Sequence, residues 1–244
     1  MTGERPTRTA IAVVAKAPIA GIAKTRLGLE IGYAEAARLY AAFLLDTLQT
    51  IDDGLTSPRS SIKGGSRWIS CPDESHRSAL ASLVGPTWSI LPQRRTGLMG
   101  ALADSFDDGF AAGAEVVVVI DADSPGLPFS QVEACVRLAA ESQAVFGPTI
   151  DGGYYLIAVR RDLGPLAADL VLGRDYEGRT ICEETIRHAE SLGVTATKGP
   201  IGFDVDTAED LDWLMNNLPS EGMDRTRRAV TALVSSPAWP GSVR

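Results

Sequence analysis

The chain has few of the features on which several protein classes depend. Its cysteines, Cys71, Cys135 and Cys182, are odd in number and scattered, with no C-x-x-C spacing, which excludes a disulfide framework or a structural zinc site as the basis of the fold. Purely apolar runs such as 116–120 fall far short of the ~20 residues that cross a bilayer, and the polar first residues, with Arg5 and Arg8, give no sign of export. A cytoplasmic setting with no membrane partner is expected. Positive charge is also short: 23 Lys and Arg against 31 Asp and Glu leave a formal charge of −8, which argues against a nucleic-acid-coating protein. His76 and His188 stand alone, outside any H-E-x-x-H setting, and there is no G-x-S-x-G elbow to seat a serine nucleophile. Neither a Walker loop nor a G-x-G-x-x-G fingerprint occurs, and the four tryptophans are too scattered to stack bases.

What is present is an alternation of short apolar strands and amphipathic helices, in a chain long enough for one large α/β domain. Residues 11–15 read as a buried strand, 16–27 as a loop, and 33–51 as a helix in which Leu39, Tyr40, Phe43, Leu44, Leu48 and Ile51 recur at helical spacing. Residues 52–66, rich in Gly, Ser and Pro, read as a surface loop, and 67–70 as a strand. Further helices are predicted over 97–113, 129–141, 179–192 and 208–218, and strands over 115–120, 145–147 and 154–159, the last two joined by a turn at 149–153. Such alternation implies a three-layer α/β sandwich with a mostly parallel central sheet, and such sheets bind ligands at the carboxyl ends of their strands. Chemistry is therefore expected just after Ala15, just after Ile120 and around Asp151. Residues 1–218 are expected to form a single catalytic domain, and 219–244, with one short helix over 224–234 and a Pro/Gly tail, an appendage.

Four segments could carry that chemistry. Lys16, Lys24 and Arg26 surround a turn shaped by Pro18 and Gly21, a local basic site in an acidic chain that suits a phosphate group; a solvated turn would read the same way. Asp121 and Asp123 end a buried strand, where carboxylates are costly unless a cation meets them, and Mg²⁺ or Mn²⁺ touching phosphate oxygens would do so; one of the two could instead cap the following helix. Asp204 and Asp206 form a second Asp-x-Asp ahead of a helix that Asp206 or Thr207 would cap, leaving Asp204 as the better ligand candidate. Asp151, Gly152 and Gly153 either let a ligand lie against the backbone or make a plain hairpin turn.

The order of these segments resembles the bacterial DUF2064 family, of the GT-A glycosyltransferase-like type. The resemblance spans about residues 11–215 and is carried by Ala15-Lys16-Ala-Pro18-x-x-Gly21-x-x-Lys24-Thr25-Arg26-Leu27, by Asp123-x-Pro125-Gly-Leu, by Gly147-Pro-x-x-Asp151-Gly-Gly-Tyr-Tyr-Leu, and by Asp204-Val-Asp206-Thr207. Gln93 to Ala101 is a looser match to the family's substrate-side loop, and Asp121 departs from the Gly or Ser common there. More distantly the layout is similar to the phospholactate and molybdenum-cofactor guanylyltransferases. The resemblance implies a GT-A-like fold, nucleotide binding by Ala15, Lys16, Gly21, Lys24, Thr25, Arg26, Gln93, Asp151, Gly152 and Gly153, and a metal ion on Asp123 with Asp121, Asp204 or Asp206. The leading expectation is a metal-dependent nucleotidyltransferase in which Lys24, Arg26 and Asp123 serve catalysis. It would pass a nucleoside monophosphate from an NTP to a small phosphorylated or phosphonate acceptor, with Arg174, Tyr176 and Arg179 available to an anionic acceptor. The alternatives are a glycosyltransferase that uses an NDP-sugar, and a catalytically silent nucleotide-binding protein.

Overall fold

A computed structural model describes residues 7–63, 65–173, 180–217, 223–235 and 239. Strand β1 (Thr7–Val14) leads through an irregular loop into a short helix α1 (Thr25–Ile31) and then the long helix α2 (Tyr33–Thr56). There follow β2 (Ile62–Lys63), β3 (Arg67–Cys71), α3 (Glu74–Ala81), β4 (Ser89–Pro92) and α4 (Gly97–Ala111). The second half contains β5 (Val116–Asp121), α5 (Phe129–Leu138), β6 (Ala144–Pro148), β7 (Tyr154–Arg160), α6 (Leu166–Asp169), α7 (Ile181–Ser191), β8 (Ala196–Lys198), α8 (Ala208–Asn217) and α9 (Asp224–Val234).

The sheet runs β4-β3-β1-β5-β7-β6-β8, with β2 beside the start of β1. All pairings are parallel except those of β7, which runs against both β5 and β6. The mostly parallel sheet expected from the strand pattern is thus present, with one reversed strand supplied by the 149–153 turn. Side chains alternate across it, as the pleat requires. Ile11, Val13, Val118, Ile120, Leu156 and Ala158 face α2 and α5, while Ala10, Ala12, Val117, Val119, Ile157 and Val159 face α4, α6 and α7. Both faces are covered, which explains why β5 carries four consecutive valines where a half-exposed strand would alternate with polar residues. A third apolar cluster lies on the outer side of α2, where Leu39 and Phe43 meet Leu27 of α1, Leu211 of α8 and Leu233 of α9. No helix among the described residues is long and apolar enough to cross a membrane.

One sequence expectation needs correction. The segment 52–66 is not all loop: α2 continues to Thr56, and Ile62 is fully buried in β2. Gly54 lies within α2 and packs against Phe129 of α5, whose ring a Cβ would meet. Residues 224–234 form the expected helix, and it is docked against α2: buried Asp46 accepts from the backbone N–H of Thr226 (2.7 Å) and of Arg225 (3.3 Å) and from the Arg225 guanidinium (3.2 Å). A carboxylate at the start of a helix meets the first unpaired N–H groups and the positive end of its dipole.

Candidate active site

The carboxyl edge of the sheet opens into a cleft of about 510 Å³. Three strands and four loops bring it together. Val14, at the end of β1, leads to Lys16; α1 contributes Arg26, with Lys24 just before it; β5 ends in Asp121, with Asp123 just after it; the β6–β7 turn brings Thr149 and Asp151; and the segment before α8 brings Asp204 and Asp206. Leu98, Met99 and Leu102 of α4, with Tyr154 and Ile181, give the cleft an apolar wall.

Local structure explains each placement. The loop after β1 is fixed through its backbone: Lys16 N–H donates to the Tyr40 hydroxyl of α2 (3.0 Å), and Ala17 N–H donates to Nδ1 of His76 on α3 (2.8 Å). His76, isolated in sequence, thus supports the loop from outside the cleft, with its Nδ1 unprotonated. Asp123 is held by its carbonyl, which accepts from Val205 N–H (3.1 Å), so the two Asp-x-Asp segments are bound to each other. Thr207, not Asp206, caps α8. Its hydroxyl accepts from Asp210 N–H (3.2 Å) while the Asp210 carboxylate accepts from Thr207 N–H (2.8 Å), a reciprocal box that leaves the Asp206 side chain free for the cleft. The 149–153 turn is a hairpin closed by Thr149 N–H on the Gly153 carbonyl (3.0 Å), and its left-handed position, φ 96°, is Gly152. Asp151 accepts within it from Gly153 N–H (3.0 Å) and from the Thr149 hydroxyl. The hairpin-turn reading of Asp-Gly-Gly holds, and Asp151 and Gly153 of that turn line the cleft.

At the centre lies an arrangement that the spacing of residues did not disclose. Lys24 is buried, its side chain 2% exposed, and its ammonium lies 2.9 Å from Oδ2 of Asp123 and 2.8 Å from Oδ1 of Asp206. Arg26, largely exposed, reaches Oδ2 of the same Asp206 at 3.2 Å. Burial alone would lower the Lys24 pKa, but Asp123 and Asp206 outweigh it and hold it above its ordinary value, so the side chain stays charged. Burial likewise works to raise Asp206, while Lys24 and Arg26 keep it below the usual carboxylate range. The other pair is pushed the opposite way. Burial, then Asp151 and Asp206, bring Asp204 up to about 7; burial, then Asp123 and Asp204, raise Asp121 well above its ordinary value.

Five carboxylates around one cleft, two with raised pKa values, are an oxygen-only donor set whose mutual repulsion a divalent cation would relieve, and their chemistry fits Mg²⁺ or Mn²⁺. Among the described residues, however, no three acidic, histidine or cysteine side chains converge as a ready metal cage. Of the remaining residues read from the sequence, Lys16 and Gly153 line the cleft, whereas Ala15, Gly21, Thr25, Gln93 and Gly152 do not. Gln93 instead continues the sheet edge, its N–H donating to the Cys71 carbonyl (2.8 Å). Arg174, Tyr176 and Arg179 lie outside the described residues.

Next to Gln93, the apolar wall is anchored by Asp104 of α4. This buried carboxylate accepts from Arg94 N–H (2.6 Å), Arg95 N–H (2.9 Å) and the Arg95 guanidinium (2.5 Å), folding the chain back over the helix start that presents Leu98 and Met99. Sequence reasoning did not assign Asp104, Thr149, Tyr154 or Tyr40 to the site, although Tyr40 stood in the helical period of 33–51 and Thr149 and Tyr154 in the 147–156 segment. For Asp104 the signal was the Arg-Arg pair ahead of Asp104, Asp107 and Asp108 at helical spacing.

Residues 60–174 match the sequence family DUF2064, described as "Uncharacterized protein conserved in bacteria". A protein from Desulfovibrio desulfuricans, provisionally named a nucleotide-diphospho-sugar transferase, superimposes with a TM-score of 0.78 at 26% identity, over 94% of this chain and 97% of that one. The 4-diphosphocytidyl-2C-methyl-D-erythritol synthase of Anaerococcus prevotii gives 0.56 at 13% identity over 87% and 96% of the two chains. A mannosyltransferase from Pyrobaculum calidifontis, in complex with GDP-Man and Mn²⁺, gives 0.53 at 14% over 98% and 77%. No curated protein matches the sequence. The resemblance read from the motifs, to DUF2064 and the GT-A-like type, holds, and the fold is GT-A-like.

Proposed function

We propose, for a chain that carries the DUF2064 signature on a GT-A-like fold, a metal-dependent nucleotidyltransferase that joins a nucleoside monophosphate from an NTP to a small phosphorylated or phosphonate acceptor. The observation that carries this reading is the facing pair at the carboxyl edge: Lys24 and Arg26 at the start of α1, and Asp123 and Asp206 from two other segments, within one cleft. A triphosphate brings several negative charges, and such a cleft offers fixed cations together with carboxylates for a metal.

In this mechanism Lys16, Lys24 and Arg26 hold the phosphate chain, and no protein nucleophile takes part. An acceptor oxygen forms a bond to the α-phosphorus as the bond to the β-phosphate bridge breaks, and pyrophosphate leaves with the electron pair. Asp123, with Asp204 or Asp206, would hold Mg²⁺ or Mn²⁺, which when bound would neutralise phosphate charge. Asp151 and Gly153 of the hairpin, and the apolar side chains of Leu98, Met99 and Tyr154, line the rest of the cleft.

The reading is tested by thermal shift with each NTP and a panel of NDP-sugars, with Mg²⁺, Mn²⁺ or EDTA, because a ligand that binds only the folded state raises its midpoint. A metal-dependent shift with an NTP, followed by pyrophosphate release on adding phosphorylated acceptors, is expected. Substituting Lys24→Ala should abolish turnover while leaving a folded protein. No shift with any nucleotide would refute the site. A second reading, glycosyl transfer from an NDP-sugar, is favoured by the provisional name of the Desulfovibrio protein; release of free NDP without pyrophosphate would establish it.

A further inference from the structure

The ammonium of Lys24 sits where two carboxylates could otherwise share a divalent ion. Its side chain is 2% exposed, while those of Asp123 and Asp206 are 38% and 37% exposed, so the carboxylates face the cleft and the lysine lies behind and between them. With Arg26 on its other oxygen, Asp206 has both oxygens engaged. The two aspartates are fixed by their backbones, Asp123 through Val205 N–H and Asp206 through its own N–H on the Asp210 carboxylate (3.0 Å). Lys24 is the movable member. It has a long, flexible side chain, and its backbone is left-handed, φ 50° and ψ 52°, a conformation that disfavours a residue with a Cβ and that persists only while its surroundings enforce it. The residue also forms the N-terminal boundary of α1, and its ammonium is held by the Asp123 and Asp206 carboxylates.

From this geometry we propose that Lys24 is a tethered cation that keeps the Asp123–Asp206 pair closed to a divalent metal ion until a phosphate group takes over its ammonium. The inference rests on the nucleotide-binding reading above and adds an order to it: metal and nucleotide enter together, and either alone binds weakly. A phosphate is the natural exchange partner because it offers the ammonium charged oxygen acceptors in place of the two carboxylates, whose released oxygens then become available to the metal. By linkage, the factor by which nucleotide tightens metal equals that by which metal tightens nucleotide.

The test is binding of Mn²⁺ alone, followed by the electron paramagnetic resonance signal of the free ion, with no nucleotide present. Wild type is expected to bind weakly. Lys24→Met should bind at least about tenfold more tightly, within the range typical of coupling between two sites. Lys24→Gly, which also suits the left-handed backbone and so guards against misfolding of the first variant, should do the same. Arg38→Met, which removes an exposed cation of α2 outside the cleft lining, should stay close to wild type and so separates the lock from a general change of charge. Tight binding by wild type without nucleotide, or no gain in either Lys24 variant, overturns the proposal while leaving nucleotidyl transfer standing. If no protein retains Mn²⁺ even with an NTP beyond what the NTP itself chelates, the metal-dependent reading falls, and the proposal with it.

Discussion

Replacing Asp104 with alanine should measurably loosen the apolar wall of the cleft. The side chain is buried and accepts from two backbone N–H groups and the Arg95 guanidinium, with the Arg94 guanidinium nearby at 3.6 Å. Removing the carboxylate leaves the two N–H groups without partners, at about 1–3 kcal/mol each. The guanidinium contribution is small, because Arg94 and Arg95 are 53% and 40% exposed and recover water; about 0–1 kcal/mol covers it. The expected loss is therefore roughly 3 kcal/mol, or about 6–12 °C in Tm for a chain of this size. Asp104→Asn, which keeps one acceptor oxygen, should lose about half of that. Burial pushes the Asp104 pKa up, but the backbone N–H groups of Arg95 and Arg94 and the Arg95 side chain lower it on balance. A carboxyl depressed in the folded state contributes in full above its unfolded pKa of about 4 and loses that contribution as pH falls through the folded value. The gap between wild type and Asp104→Ala should accordingly be constant above about pH 5 and narrow in acid. Differential scanning calorimetry across pH measures this directly. A variant within about 2 °C of wild type at neutral pH would refute the assignment of the Asp104 contacts as the anchor of that wall.

Two further outcomes follow from buried groups away from the cleft. Asp46→Ala, which removes the acceptor at the start of α9, should speed amide exchange across 224–234 by about a hundredfold, corresponding to roughly 3 kcal/mol; unchanged protection would mean that the apolar face alone holds the helix. Burial pushes Cys135 up to about 12 and Cys71 and Cys182 up to about 11, so a thiol reagent at pH 8 should react slowly with the native protein and with all three thiols once it is unfolded, whereas rapid labelling before unfolding would contradict their burial.

Elements with a strong period or an unbroken apolar run were legible from sequence. The valines of β5, the apolar face of α2 and the helix at 224–234 all stand where they were expected. What escaped detection was short, polar or at an edge. Helix α3 buries only Leu80, and its clearest signal is Asp73, which caps it by accepting from Ser75 N–H (2.9 Å) and His76 N–H (3.0 Å). Strand β4 is an edge strand ending in a proline, and β8 has three residues. Helix α2 outran its expected end because Gly54 reads as a breaker in sequence and as a contact only once Phe129 is seen above it. The site divides in the same way. That Lys24, Asp123 and Asp206 would meet at one edge of the sheet was legible from their types and order, but that the lysine is bound by the aspartates was not, since that fact belongs to tertiary structure.

The union of Lys24 with Asp206 joins positions 182 residues apart. During synthesis or refolding the cleft can therefore exist only after nearly all of the described chain is available and the sheet has already ordered its strands, because closing so long a loop is costly until neighbouring contacts have shortened it. The proposed nucleotide binding would then act as a late reporter of folding: it should emerge with the final slow phase, after the secondary structure has formed, and a chain ending before Asp204 should show none of it, however much of the sheet it had built.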